Sequence, residues 1–281
     1  MSPAIACALG ALLCFGLGDL IYKQGAAAGA QPHQFLMLQS WVFTPIVFVY
    51  ALATHQLEFV PGTLWGALAG VFILTGFYNF AHSLKTGSIS INAPVFRLSF
   101  VITAALAVAL LGEPPTAAKA AGIALALAAA WLLLGGAGGP QREDRGPLIR
   151  VLVATVAVGI GNFIYKLGLQ AGATPASIIV AQGCAVVVGA TLFVAWKEGG
   201  IRAEAPVRRF APRAAVVLAA AFSLLIEALA RGQASVVVPV AQMGFVVTAL
   251  VGTLFLGERF TLRKGAGLLA ALAALASLAA G

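Results

Sequence analysis

The sequence predicts an all-α membrane protein: ten transmembrane helices, arranged as two five-helix repeats of inverted topology around a central cavity. Three observations carry that reading. Of 281 residues, 61% are hydrophobic and only 9% are charged, against about 25% charged in soluble domains, and the mean hydropathy is +0.99. The apolar residues come in long unbroken runs, not in the alternation that barrel strands require. The second half of the chain also repeats the first. Ten crossings of about 20 residues leave roughly eight residues per connection, so no soluble catalytic domain fits.

Taken in order, apolar runs bounded by Gly, Pro and polar clusters predict helices over 3–24, 34–53, 63–84, 88–110, 116–135, 148–169, 175–195, 212–231, 235–256 and 261–280. The first run reads as a retained helix and not a cleaved signal peptide, because no Lys or Arg precedes it and its first cation is Lys23. The fifth and tenth runs, nearly all Ala, Leu and Gly, read as closely packed scaffold. A Gly-rich, polar linker at 140–147 divides a first repeat, 1–139, from a second, 148–281. Cys7, Cys14 and Cys184 lie within apolar runs and offer neither a disulfide framework nor metal-ligand spacing. No metal and no cofactor are expected.

At a constant offset of 143, Gly18, Ile21, Tyr22, Lys23, Gly25, Ala28, Gly29 and Pro32 fall on identical residues. At an offset of 145, Ser90, Pro94, Phe100, Thr103, Gly112, Glu113, Thr116, Lys119 and Gly122 fall on Ser235, Pro239, Phe245, Thr248, Gly257, Glu258, Thr261, Lys264 and Gly267. Five crossings per repeat is an odd number, so the second repeat must enter the membrane upside down. Inverted repeats about an axis in the membrane plane mark transporters that alternate between two facing states.

Charge placement sets the orientation. Lys23, Lys85, Arg142, Arg145, Arg150, Lys197, Arg202, Arg208, Arg209, Arg213, Arg259, Arg263 and Lys264 gather on one face, and only Lys119, Lys166 and Arg231 on the other. The crowded face is expected to be cytoplasmic and both termini periplasmic, in a multi-pass protein of a bacterial-type inner (plasma) membrane. The net charge of +8 is therefore topological. It comes without a nucleic-acid-reading motif, and no nucleic-acid partner is expected. The basic loop at 197–213 reads the same way.

The segments Lys85-Thr86-Gly87-Ser88-Ile89-Ser90 through Pro94 to Leu111-Gly112-Glu113-Pro114-Pro115-Thr116, and Leu256-Gly257-Glu258-Arg259-Phe260-Thr261, resemble the EamA-type repeats of the drug/metabolite transporter superfamily. The resemblance covers nearly the whole chain. It implies a ten-helix inner-membrane carrier, commonly an exporter of amino acids or related metabolites, with bacterial aromatic amino-acid exporters as the nearest well-known relatives. The same superfamily holds sugar-phosphate, nucleotide-sugar and drug carriers.

A charge at the bilayer centre costs at least about 2.5 kcal/mol, so ionisable residues inside spans are candidates by default. Arg97 stands near mid-membrane in the fourth run and is matched in the other repeat by neutral Gln242. It reads equally as the counter-ion of a substrate carboxylate and as a structural pair with a buried acid. Asp19 is matched by Asn162, and its simplest partner is Lys23, one turn on. Glu227 is matched by His82 and has Arg231 four residues later. Burial disfavours the charged forms, which makes Asp19, Glu227 and His82 candidates for proton exchange or gating.

Thr75, Tyr78, Asn79 and His82 fall on one stripe of the third run, and the last three are expected to line the cavity. Among the aromatics, Trp41 and Tyr78 are the candidates for substrate contact. Pro94 and Pro239 each remove a backbone donor at equivalent points and are candidate hinges.

Two other classes compete. Gly16-Leu17-Gly18-Asp19 reproduces a fragment of an intramembrane aspartyl protease motif, but such chemistry needs two facing carboxylates. Asp144, the other Asp, lies in the linker. A channel needs a ring of carbonyls or like charges, and nothing repeats that way. No P-loop is present. The sequence therefore predicts a non-enzymatic exporter of amino acids or similar metabolites by alternating access, with a proton-coupled multidrug or metabolite antiporter as the alternative. Its expected partners are a small-molecule substrate and the lipid bilayer, and it is expected to act as a monomer.

Overall fold

A computed structural model describes residues 2–86, 92, 95–134, 145–247, 250–251 and 261–280, and among them all regular structure is helical. The helices are α1 (Pro3–Ala27), α2 (Pro32–Ala53), α3 (Thr63–Thr86), α4 (Ser99–Leu111), α5 (Ala117–Leu134), α6 (Arg145–Gln170), α7 (Pro175–Glu198), α8 (Ala205–Arg231), α9 (Ala234–Gln242) and α10 (Leu262–Ala280). Seven, namely α1, α2, α3, α6, α7, α8 and α10, are long and apolar enough to cross a membrane. Prolines at the first turns of α1, α2, α7 and α8 preset φ where an amide donor is not needed. Gly29 and Gly172, equivalent in the two repeats, carry positive φ of 84° and 85° just past α1 and α6, a conformation that a side chain disfavours.

The repeats pack symmetrically. α1 lies along α8 as α3 lies along α6, while α2 meets its own equivalent α7, α4 meets α9 and α5 meets α10. Two of these pairs, α2 with α7 and α5 with α10, are tied start to end and so run antiparallel. The start of α2 is tied to the end of α7 by His33 and Gln34 on the Glu198 carboxylate, and Arg263, at the start of α10, donates to the carbonyls of Trp131 and Leu132 near the end of α5. Glycine makes these approaches possible. A Cβ on Gly16 would stand 2.5 Å from the Val247 Cβ, and one on Gly159 would stand 2.7 Å from the Ile102 Cβ, the repeat-equivalent contact. Membrane helices gain their affinity from such close backbone approach.

Four helices depart from the spans expected from sequence, among them the fourth, whose expected span 88–110 is broken at Leu98 so that α4 starts at Ser99. α8 begins at Ala205 inside the presumed loop 197–213, because Val207, Phe210, Ala211 and Ala214 are buried at helical spacing while Arg208 and Arg209 face outward. α6 begins at Arg145, so the end of the predicted linker is its first turn; residues 135–144 lie outside the described residues. The expected helix at 235–256 is interrupted after Gln242 by a turn at Met243 and Gly244, where a Cβ on Gly244 would stand 2.8 Å from the Gly16 amide nitrogen.

Candidate functional site

The interruption after Gln242 has a counterpart in the first repeat. Met243 N–H bonds Val240 O at 3.2 Å and Val246 N–H bonds Met243 O at 2.9 Å; Leu98 N–H bonds Val95 O at 3.0 Å and Val101 N–H bonds Leu98 O at 2.9 Å. These four bonds, each spanning three residues, coincide under the repeat offset and tighten the chain into 3₁₀-like turns. Pro239 lies one turn before the second break, while Pro94 lies outside the described residues. The last helical residues before the two breaks are Arg97 and Gln242.

These two side chains meet. Arg97 is 3% exposed and Gln242 4%, and Arg97 Nη1 donates to Gln242 Oε1 at 2.9 Å. Arg97 Nη2 forms a salt bridge to the Asp19 carboxylate. Asp19 therefore answers Arg97 across the bundle and not Lys23 along its own helix; a guanidinium that would otherwise be a bare buried charge holds it there. Asn162, the repeat equivalent of Asp19, completes the group. It is 1% exposed, and neither its Oδ1 nor its Nδ2 has a hydrogen-bond partner among the described residues.

Around this polar quartet stand aromatic rings. A cavity of about 10 Å³ is lined by Asp19, Arg97, Asn162 and Gln242 together with Phe15, Tyr22, Phe77, Phe80, Phe96 and Phe222, among others. That volume holds about one water. Phe77 and Phe222, equivalent residues, face each other at 6.0 Å between ring centroids, and Phe80 stacks on Phe96 at 4.0 Å. On either side, Tyr22 donates to Gln39 and Tyr165 donates to Gln182, the same bond made once in each repeat. Phe77 and Phe222 also border a second small cavity, with Gln39, Ser40 and Gln182 on its wall.

The other sequence candidates lie elsewhere. Tyr78 and Asn79 border a separate cleft of about 260 Å³ with Thr75, His33 and Phe193, since Phe77 and Phe80 take the inward face of α3. The His82 ring stands 5.9 Å from that of Tyr78. Trp41 is 41% exposed on the outside of α2, where its indole donates to Thr191 at 2.8 Å. Glu227 is paired with Arg231 at 2.7 Å, apart from the quartet.

Two residues that sequence reading left out of the site matter to it. Asn162 was visible only as the counterpart of Asp19. Glu113, read there only as a family signature, is buried and caps α9: its carboxylate accepts from the Ala234 N–H at 2.7 Å, the Ser235 N–H at 2.9 Å and the Ser235 hydroxyl. An anion at a helix N-terminus is favoured by the orphan amides there. Lys119 and Lys166 are likewise structural. Lys119 donates to Pro114 O and the Gln233 side chain, and Lys166 donates to Leu229 O and Gly232 O, both at 2.6 Å, at the end of α8.

The quartet presents a cation, an anion and two amides side by side beneath aromatic rings, an arrangement complementary to a dipolar solute. A solved structure described only as "Crystal structure of protein" has the same fold, with a TM-score of 0.84 and 15% identity over 99% of this chain and 98% of that one. No curated protein matches the chain. The EamA-like transporter profile matches residues 2–135 and 146–280, one match on each repeat, and so the chain belongs to the EamA-like transporter family, a family of membrane transporters and not of enzymes.

Proposed function

We propose that the protein exports amino acids, including aromatic ones, or similar zwitterionic metabolites across a bacterial-type inner membrane by alternating access. Ten helices cross the bilayer in this reading. The repeats 1–139 and 148–281, joined by the linker 140–147, are inverted copies with both termini periplasmic. The symmetric packing and the antiparallel run of α2 against α7 and of α5 against α10 support the inversion.

One observation carries the substrate reading: Arg97 and Asp19 pair at a helix break within the bundle, beside a wall of phenylalanines and an Asn162 with no hydrogen-bond partner among the described residues. In the closed arrangement the guanidinium and carboxylate neutralise each other, which avoids a bare buried charge. A zwitterion replaces both halves of the pair, its carboxylate on Arg97 with two hydrogen bonds and its ammonium on Asp19. Its side chain then lies against the rings. Gln242 and Asn162 complete the polar contacts, and broken helices near the midplane supply such sites in carriers. With the cavity nearly filled, the substrate enters only when one end of the bundle opens, and the breaks beyond Pro239 and at Leu98 serve as the hinges.

Purified protein in liposomes, assayed with labelled amino acids with and without an imposed pH gradient, tests this directly. Arg97→Gln is expected to lower flux at least tenfold at sub-saturating substrate, because a charge-assisted bidentate contact contributes about 1.5–3 kcal/mol. Unchanged flux and affinity in Arg97→Gln would remove the counter-ion role. Flux that follows the imposed gradient, and loses that dependence in Asp19→Asn or Glu227→Gln, would instead favour a proton-coupled antiporter.

A further inference from the structure

The polar stripe of α3 turns away from the quartet and toward the outside of the bundle. Leu64, Leu68 and Val71 are exposed on the same side of the helix, and Thr75, Tyr78 and Asn79 continue that line toward the end carrying Lys85. In a membrane such a face meets lipid; Thr75 answers this by donating to Val71 O at 2.8 Å and Asn79 by donating to Thr75 O at 2.9 Å, and the second Asn79 amide hydrogen and the Tyr78 hydroxyl are the groups for which a lipid oxygen is a partner. The stripe borders the 260 Å³ cleft between α2, α3 and α7, whose other walls are Leu36, Leu74, Ala190 and Phe193, with His33 at its inner edge.

Cations stand at the rim of this cleft. Arg150, near the start of α6, reaches the Asn79 oxygen at 3.3 Å. Lys197, one residue before the end of α7, lies 3.5 Å from the His33 ring nitrogen and 5.9 Å over the Phe193 ring. Lys85 is nearby at the end of α3, on Gln31. The carboxylate at this mouth, Glu198, is already engaged by His33 and Gln34. Asn79 is seven residues from the end of α3, about 10 Å along the axis, so the cations at the mouth and the apolar wall of the cleft lie at successive levels along the helix.

We propose that this cleft is a binding site for an anionic phospholipid, its phosphate held between Arg150 and Lys197 and one acyl chain laid along Leu36, Leu74 and Ala190. Hydrogen bonds from Tyr78 and the Asn79 amide give the glycerol and ester oxygens partners that hydrocarbon lacks. The site is independent of the substrate reading, since it shares no residue with the quartet.

Native mass spectrometry of the purified full-length protein, equilibrated in detergent with phosphatidylglycerol or phosphatidylcholine, tests it. Preferential retention of phosphatidylglycerol is expected. Arg150→Gln and Lys197→Gln should each weaken it about fivefold, as expected for loss of one surface cation, while Arg208→Gln with Arg209→Gln at the exposed start of α8 should not. Glycerol phosphate, the headgroup without its chains, should fail to displace the lipid. For the unmodified protein, phosphatidylglycerol carrying a photoactivatable acyl chain should label α2, α3 and α7 around the cleft. Equal retention of both lipids, equal loss in the α8 pair, displacement by glycerol phosphate, or labelling away from the cleft would each overturn the proposal.

Discussion

Asn162 inverts the usual expectation for a buried polar side chain. Its amide has no hydrogen-bond partner among the described residues, which carries a penalty of about 1–3 kcal/mol when the small cavity beside it is dry. Replacement by leucine, close in volume, should therefore leave the fold as stable or raise its melting temperature in detergent, while lowering amino-acid flux in liposomes by an order of magnitude or more. A melting temperature that falls by several degrees would mean that the amide is bonded in the resting protein. Unimpaired flux would mean that it does not touch the substrate. Arg97, Gln242 and Asp19 stood out in the sequence because Asp19 against Asn162 and Arg97 against Gln242 are places where matching copies disagree in charge, but Glu227 against His82 disagrees in the same way and lies apart from the quartet, and Asn162 showed only as the counterpart of Asp19. Their pairing was not legible. Lys23 is one turn from Asp19, whereas Arg97 is 78 residues away, and only the packing of α1 against the helix break brings them together. The stripe from Thr75 to His82 was found by periodicity, which reports that one face differs from the rest but not whether that face looks inward.

At the scale of elements, the short helix α9 is positioned by a carboxylate from the other repeat. Glu113 lies 121 residues from Ala234, so the Gly-Glu signature shows in sequence as a repeated motif while its reason is tertiary. Glu113→Ala strips two backbone amides and a hydroxyl of their buried acceptor. With charged hydrogen bonds contributing about 1.5–3 kcal/mol each, a loss of at least about 3 kcal/mol is expected, roughly 6–12 °C in thermal unfolding for a chain of this size. Retention of the full melting temperature would show that water replaces the cap. The glycines make a graded comparison. A Cβ on Gly16 collides with the Val247 Cβ at 2.5 Å and the Gly244 carbonyl at 2.6 Å, whereas one on Gly18 meets the movable end of Leu218 at 3.0 Å. Gly16→Ala should therefore cost about 1–3 kcal/mol through overpacking and Gly18→Ala much less. The equivalent substitutions should rank the same way: Gly159→Ala faces the Ile102 Cβ at 2.7 Å and the Ser99 carbonyl at 2.8 Å, and Gly161→Ala the Ile73 side chain at 3.1 Å. A reversed order in either repeat, read by thermal unfolding, would break the correspondence between them.

For the whole molecule, the two ends of the bundle are closed by equivalent helices tied in different ways. At one end the start of α2 is bound to the end of α7 through Glu198, and Gln34 also accepts from the Glu204 N–H at 2.9 Å. At the other, Thr174 and Ser177 at the start of α7 donate to the Gln56 carbonyl, and the Glu58 N–H donates to the Ser177 hydroxyl at 2.7 Å. Hydroxyls and backbone serve at one end, a carboxylate with an imidazole and an amide at the other. Alternating access requires the two ties to part in turn, and hence that they face opposite sides of the membrane. Ala28 and Ala171 are repeat equivalents, both exposed, one at each end; exposed Thr54 lies with Ala171, and exposed Ile201 lies with Ala28. Single cysteines at these four positions, with Cys7, Cys14 and Cys184 replaced by serine, can be probed in intact cells with a membrane-impermeant maleimide. Positions 54 and 171 should react from outside, and 28 and 201 only after the membrane is breached, given the cationic end inside. Labelling of 28 and 171 from the same side would mean that the repeats are inserted parallel, and a carrier built on two inverted halves would be ruled out whatever its substrate.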